Sequence, residues 1–336
     1  MKHLSMGVAA ASLSLAATSG LADPRLTWEG SLEIGIDSVV SSDVAGNEVN
    51  DLYGIVDVAA EWALTDNVTL FVAGTGESMT GAVNDRAFED LGFYLGEIGL
   101  SFGLGNTTLT VGKTGVAFGS AWDSAAGFYA SGLADDYELT EQIVLAADIE
   151  IAGGTLSIAT FYADDTIFSE QLGFNVGPNV SGVAGSGAGN TGQFDNLAIN
   201  WAQELDGGVF YNIGARHLSG NATESDETGF VAGVGGTIGT VTLFGEVGVF
   251  DNYGGTAGDD ATYALLNASR AFGDITLSGS LALRDVTSAG ETKMATFGAD
   301  YTFKNGVEFG GAVAFIDDAG VNSTQIGAAF VIPFGG

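Results

Sequence analysis

From Leu26 the sequence alternates. Trp28, Gly30, Leu32, Ile34 and Ile36 share one parity, and Glu29, Ser31, Glu33, Gly35 and Asp37 share the other. Successive side chains of an extended strand point to opposite faces, so this segment is a strand with one apolar and one charged face. The pattern recurs in sixteen segments, the first near 26–38 and the last near 323–334. No stretch after Asp23 reaches the ~18–20 consecutive apolar residues of a transmembrane helix. The apolar faces must therefore pack on a second sheet or look out at lipid.

The connections separate these two solutions. Short ones such as 153–154, 239–240 and 273–274 carry Gly and Asp, which tolerate the backbone of tight turns. Longer ones at 78–90, 113–140 and 164–192 alternate with them. A β-sandwich joins its strands by Greek-key connections of irregular length. Short turns at one end and long loops at the other describe an up-and-down barrel. The reading is an all-β, 16-stranded antiparallel transmembrane β-barrel with short periplasmic turns and long external loops.

The charges fit that reading. Opposite the apolar parity lie Glu29, Glu33, Asp37, Asp57, Glu61, Glu77, Glu97 and Glu246, with Arg216 and Arg284 as the clear cations. Glu141, Asp195, Asp251, Arg270 and Lys293 fall on the other parity, most of them at strand ends. Arg270 stands out, because its strand reads ambiguously in either register. Aromatic residues on the apolar parity (Trp28, Trp62, Tyr94, Trp201, Tyr211, Tyr301) suit interfacial girdles.

Composition closes other routes. The 336 residues include 42 Asp+Glu against 9 Lys+Arg, a formal charge of −33. Nucleic acid is excluded as a partner, since phosphate contacts need a cationic face. Disorder is excluded by 46% hydrophobic residues. There is no Cys. Residues 1–22 read as a secretory signal peptide, with Lys2, an apolar run from Gly7 to Ala17, and Gly20-Leu21-Ala22 before a cut at Asp23. The barrel domain then spans 23–336.

The stretch 98–119, IGLSFGLGNTTLTVGKTGVAFG, resembles the turn and strand that lead into the third external loop of the general bacterial porins, especially those of purple photosynthetic and related α-proteobacteria. The last strand, with Ile326, Ala328, Phe330, Ile332 and Phe334 on one face, resembles theirs as well, although Gly335 and Gly336 follow the usual terminal aromatic residue. The resemblance implies an outer-membrane homotrimer in contact with lipid and lipopolysaccharide. It also implies a constriction loop at about 113–140, with Trp122, Asp123, Asp135, Asp136 and Glu138 as lining candidates. The lumen wall would then be Glu29, Glu33, Asp57, Glu61, Glu97, Arg216 and Arg284. Porins of this kind set wall arginines against an acidic loop, whereas the first four strands here offer acids, so a cation-preferring passage for small hydrophilic solutes is expected. A solute-specific channel, with Trp122, Phe128 and Tyr129 as stacking residues, is the alternative.

Other chemistries find little support. His217 is the lone histidine after the leader, and no G-x-S-x-G elbow accompanies it, so neither a hydrolytic triad nor a histidine zinc site is supported. Gly112-Lys113-Thr114 resembles the end of a P-loop but has Thr107 where a glycine is needed. Tyr253–Asp260 resembles a calcium β-roll repeat that occurs once only. No cofactor is implied. Weakly bound calcium at Asp164 and Asp165 or at Asp259 and Asp260 is the single ion to consider, with solvated loop acids the simpler reading.

Overall fold

The computed structural model describes residues 25–336, so the signal-peptide assignment lies outside the described residues. Sixteen long strands form one antiparallel sheet. They are β1 (Leu26–Ser42), β2 (Asn50–Thr65), β3 (Val68–Ser78) and β4 (Leu91–Gly103). Next come β5 (Thr107–Val116), β6 (Leu139–Ile151), β7 (Gly154–Ala163) and β8 (Asn196–Leu205). Then follow β9 (Val209–Leu218), β10 (Glu227–Ile238), β11 (Val241–Asp251) and β12 (Ala261–Phe272). The last four are β13 (Ile275–Val286), β14 (Gly290–Thr302), β15 (Glu308–Asp318) and β16 (Val321–Gly335).

Each strand pairs with its neighbours in sequence, and β16 pairs back onto β1 with Leu32 opposite Ile332 and Ile34 opposite Phe330. The sheet is therefore a closed sixteen-stranded barrel with no free edge. Its strands are 10–17 residues long, enough for the ~9–11 residues a tilted strand needs to cross a bilayer.

The alternation places apolar residues outside. Phe230 is 55% exposed, Leu266 65% and Leu281 62%, while inward Asn267 and Arg216 are each 5% exposed. A water-soluble sandwich has the reverse arrangement, since its apolar faces meet in a core. An outward apolar band is the surface a barrel presents to hydrocarbon.

Two details depart from simple parity, and a third settles the strand that read ambiguously. Tyr94 faces inward, opposite Thr75 and hydrogen-bonded to Glu77 at 2.8 Å, because a bulge shifts the β3–β4 register between Ala73 and Gly74. One extra residue reverses the side-chain direction beyond it. Glu141, with φ +55 at the irregular start of β6, borders the lumen instead of lipid. Arg270 lies outside at the turn end of β12, its guanidinium 4.5 Å from the Phe272 ring centroid, where a long cation reaches the interface. The loop-length asymmetry also fades at the end of the chain, where 287–289 and 319–320 are as short as the turns.

Candidate pore constriction

The connection between β5 and β6, residues 117–138, folds into the barrel. It holds a short helix, Ala121–Ser124, and a single helical turn, Ala134–Tyr137. The inserted segment is thus shorter than the 113–140 expected. Lys113 stays in β5, buried and ion-paired with Glu141 at 2.9 Å and Asp164 at 3.1 Å.

Apolar packing decides where the loop lies. Phe118, Ala121 and Tyr137 meet inward side chains of β6 to β13, including Val144, Phe161, Val231, Phe250, Tyr263 and Leu265. Tyr137 stands edge-on to Phe118 and Tyr263, a favoured aromatic geometry. The tip carries Phe128 and Tyr129 onto Met294, Ala314 and Ala329 of β14 to β16. At that contact a Cβ on Gly327 would meet the Phe128 ring at 2.2 Å, so the wall accepts the tip because this residue has no side chain.

Polar tethers fix the same placement. Tyr129 donates to Asp37 at 2.6 Å. The Asn267 side chain clasps the backbone of Ala126, accepting from its N–H at 3.0 Å and donating to its carbonyl at 2.9 Å. Arg284 donates to Asp136 at 2.9 Å, and the Tyr263 hydroxyl donates to the same carboxylate. Arg216 donates to the Tyr137 carbonyl at 2.6 Å and pairs with buried Glu227.

The loop fills one side of the lumen and leaves the other open. A cavity of about 1910 Å³ runs along β1 to β4, bordered by Glu29, Asp57, Glu61 and Glu97 of the wall and by Trp122, Asp135, Asp136 and Glu138 of the loop. Arg284 is the one cation on that border among the described residues, and it is neutralised by Asp136. Asp123 is exposed on the loop but does not border the cavity.

Two wall assignments need correction. Glu33 is 6% exposed, with its carboxylate closed off by the Tyr53 hydroxyl at 2.6 Å. Arg216 points inward but is buried beneath the loop, between the Phe118 and Phe250 rings, and presents no charge to the passage. In both cases another side chain covers a group that parity alone puts in the lumen.

Burial in the loop acts on its acids. It pushes the Asp135 carboxyl up to about 6, with the Asp136 charge adding to the rise and a Ser131 hydrogen bond opposing it. Burial, then the charges of Asp135 and Asp123, pushes Glu138 up to about 7. These groups change charge near neutral pH, facing a wall that carries acids rather than arginines.

Two of the loop's anchors carry no distinguishing mark in the sequence. Asn267 carries no charge to flag it, and Glu246 reads as one more lumen acid. One signal was present. β12 is apolar on both parities, with Tyr263 and Leu265 inward and Leu266 outward, and that inward surface is where the loop lands. His217, opposite Leu197 and Thr228 on β9, sits on the outward parity. Asp259 is engaged by the Ser288 backbone and hydroxyl at 2.7 Å.

No family model matches the sequence, and no curated protein matches it either. Solved structures do. The anion-selective porin from Comamonas acidovorans superposes with a TM-score of 0.62 at 14% identity, covering 92% of this chain and 99% of that one. Two mutants of the Rh. blastica porin give TM-scores of 0.56 and 0.57 at 16% and 17% identity, covering 92% of this chain and all of theirs. The closed barrel, the lipid-type exterior and these superpositions lead to one structural conclusion: the chain has the fold of the bacterial porins.

Proposed function

We propose that this protein is an outer-membrane porin that lets small hydrophilic solutes diffuse passively through its lumen and favours cations. The observation that carries the reading is the open passage itself, acidic on the wall side and on the loop side, with Arg284 already paired. Fixed negative charge along a narrow low-dielectric passage raises the local cation concentration and repels anions. One structural neighbour bears the name of an anion-selective porin. The fold therefore leaves the sign of selectivity open, and the side chains lining each barrel supply it.

Resemblance and fold together support a homotrimer embedded among outer-membrane lipid and lipopolysaccharide. Chemical crosslinking and mass measurement in detergent test that assembly.

The deciding experiment for transport is a reversal potential in a planar bilayer under a KCl gradient. Permeability to K⁺ should exceed that to Cl⁻, and the preference should weaken as salt screens the wall charges. Anion preference at low salt would overturn the selectivity, and absence of conductance would overturn the channel.

A further inference from the structure

We propose that Glu246 is a positioning residue that sets the width of the passage by latching both ends of the inserted loop to the opposite wall. This rests on the channel reading above. Glu246 lies mid-strand on β11 and is 2% exposed. One carboxylate oxygen accepts from the Ser120 N–H at 2.8 Å and from the Asn212 amide at 3.2 Å. The other accepts from the Ala121 N–H at 3.2 Å and from the Tyr137 hydroxyl at 2.7 Å. Ser120 and Ala121 stand at the loop's entry and Tyr137 at its exit, so one side chain holds the two ends together.

The surroundings are built around this carboxylate. Gly119 has φ +86, and a Cβ there would sit 3.1 Å from a Glu246 oxygen, 3.1 Å from Trp122 and 3.2 Å from Tyr137. Only glycine gives both that backbone and that room. A buried carboxylate is costly unless its lone pairs are filled, and here donors from three elements fill them. If packing were the sole requirement, an apolar residue would serve this wall position better. Asn267 with Ala126 and Tyr129 with Asp37 hold the middle of the loop, and Arg216 and Arg284 hold its exit at Tyr137 and Asp136, whereas Glu246 bonds to entry and exit together.

Glu246→Gln keeps the shape but offers one acceptor oxygen, and its NH₂ group faces N–H donors. Buried donors left unpaired favour withdrawal of the loop ends. In planar bilayers and in liposome swelling with graded sugars, this variant should conduct about 1.5-fold or more above wild type and admit larger sugars. Glu308→Gln, a change at a cavity-bordering acid on β15, should leave the size limit unchanged. The Ser120 hydroxyl lies 2.9 Å from the Asn212 side-chain oxygen, and the chain has no cysteine of its own. Ser120→Cys with Asn212→Cys, oxidised in the Glu246→Gln background, should therefore restore the wild-type limit, and reduction should release it.

Amide hydrogen exchange at Ser120 and Ala121 reads the latch without any conductance, with protection in wild type and loss of it in Glu246→Gln. A folded Glu246→Gln barrel with wild-type sugar limit and wild-type protection overturns the proposal. If that variant does not fold, Tyr137→Phe takes its place, and an unchanged limit there overturns it equally. A wild-type barrel that does not conduct would sink the channel reading, while the exchange data would still judge the latch.

Discussion

The two sides of the lumen share one alternating pattern and use it differently. Along β1 to β4, inward acids such as Glu29 and Glu61 border an open cavity. Along β9 to β13, inward acids Glu227 and Glu246 are each 2% exposed and fully engaged with donors under the loop. An ionised group facing water projects its field into the passage. The same group under protein must be neutralised by partners and becomes part of the framework. Whether an inward acid governs permeation or architecture is set by what covers it, the loop from across the lumen or a neighbouring side chain as at Glu33, and not by its parity in the strand.

The largest effect that should separate the two sides comes from Arg216→Met. It leaves Glu227 buried without its cation and the Tyr137 carbonyl without its donor, so the barrel should lose about 3–5 kcal/mol of stability. Denaturant titration of the barrel folded into lipid vesicles checks this, and a loss below about 1 kcal/mol would show that Arg216 is not buried as described.

Titration of the loop should come next. Asp135 and Glu138 ionise near pH 6 and 7, so cation preference should climb between about pH 5 and 8, and Glu138→Gln should flatten the upper part of that climb. The stability contribution of these two groups runs the opposite way. Their folded values lie above those of the unfolded chain, so the folded loop holds protons that the unfolded chain has released, and stability falls as pH rises from about 4 to 7. Reversal potentials and unfolding midpoints across that range test both signs.

A smaller change is expected from Glu61→Gln on the open side. The K⁺ to Cl⁻ permeability ratio should fall by about 1.5-fold with stability altered by no more than about 0.5 kcal/mol. Marked destabilisation would instead place Glu61 with the buried acids. The smallest effect on permeation belongs to Arg270→Ala, outside the barrel at the turn end of β12. Selectivity should not change, and stability should drop by about 0.5–1 kcal/mol at most through the lost contact with Phe272.

Much of the architecture was legible because barrel strands carry their orientation locally. Trp28 through Asp37 announces which face meets lipid without reference to any other part of the chain. Tyr94 escaped because a bulge is a matter of register with the neighbouring strand. Of the loop candidates, Trp122, Asp135, Asp136 and Glu138 border the cavity and Asp123 does not, whereas the wall candidates Arg216 and Glu33 are covered by the inserted loop and by Tyr53 of the next strand.

The sequence by itself determined the alternation, the strand number and the excess of inward negative charge, all of which follow from period-two geometry and composition. Beyond the doubly apolar β12, the tertiary structure decided which wall the loop packs against, and so which acids face water and which become anchors. That choice depends on contacts such as Tyr137 to Glu246, 109 residues apart, and no local pattern encodes a partner at that distance.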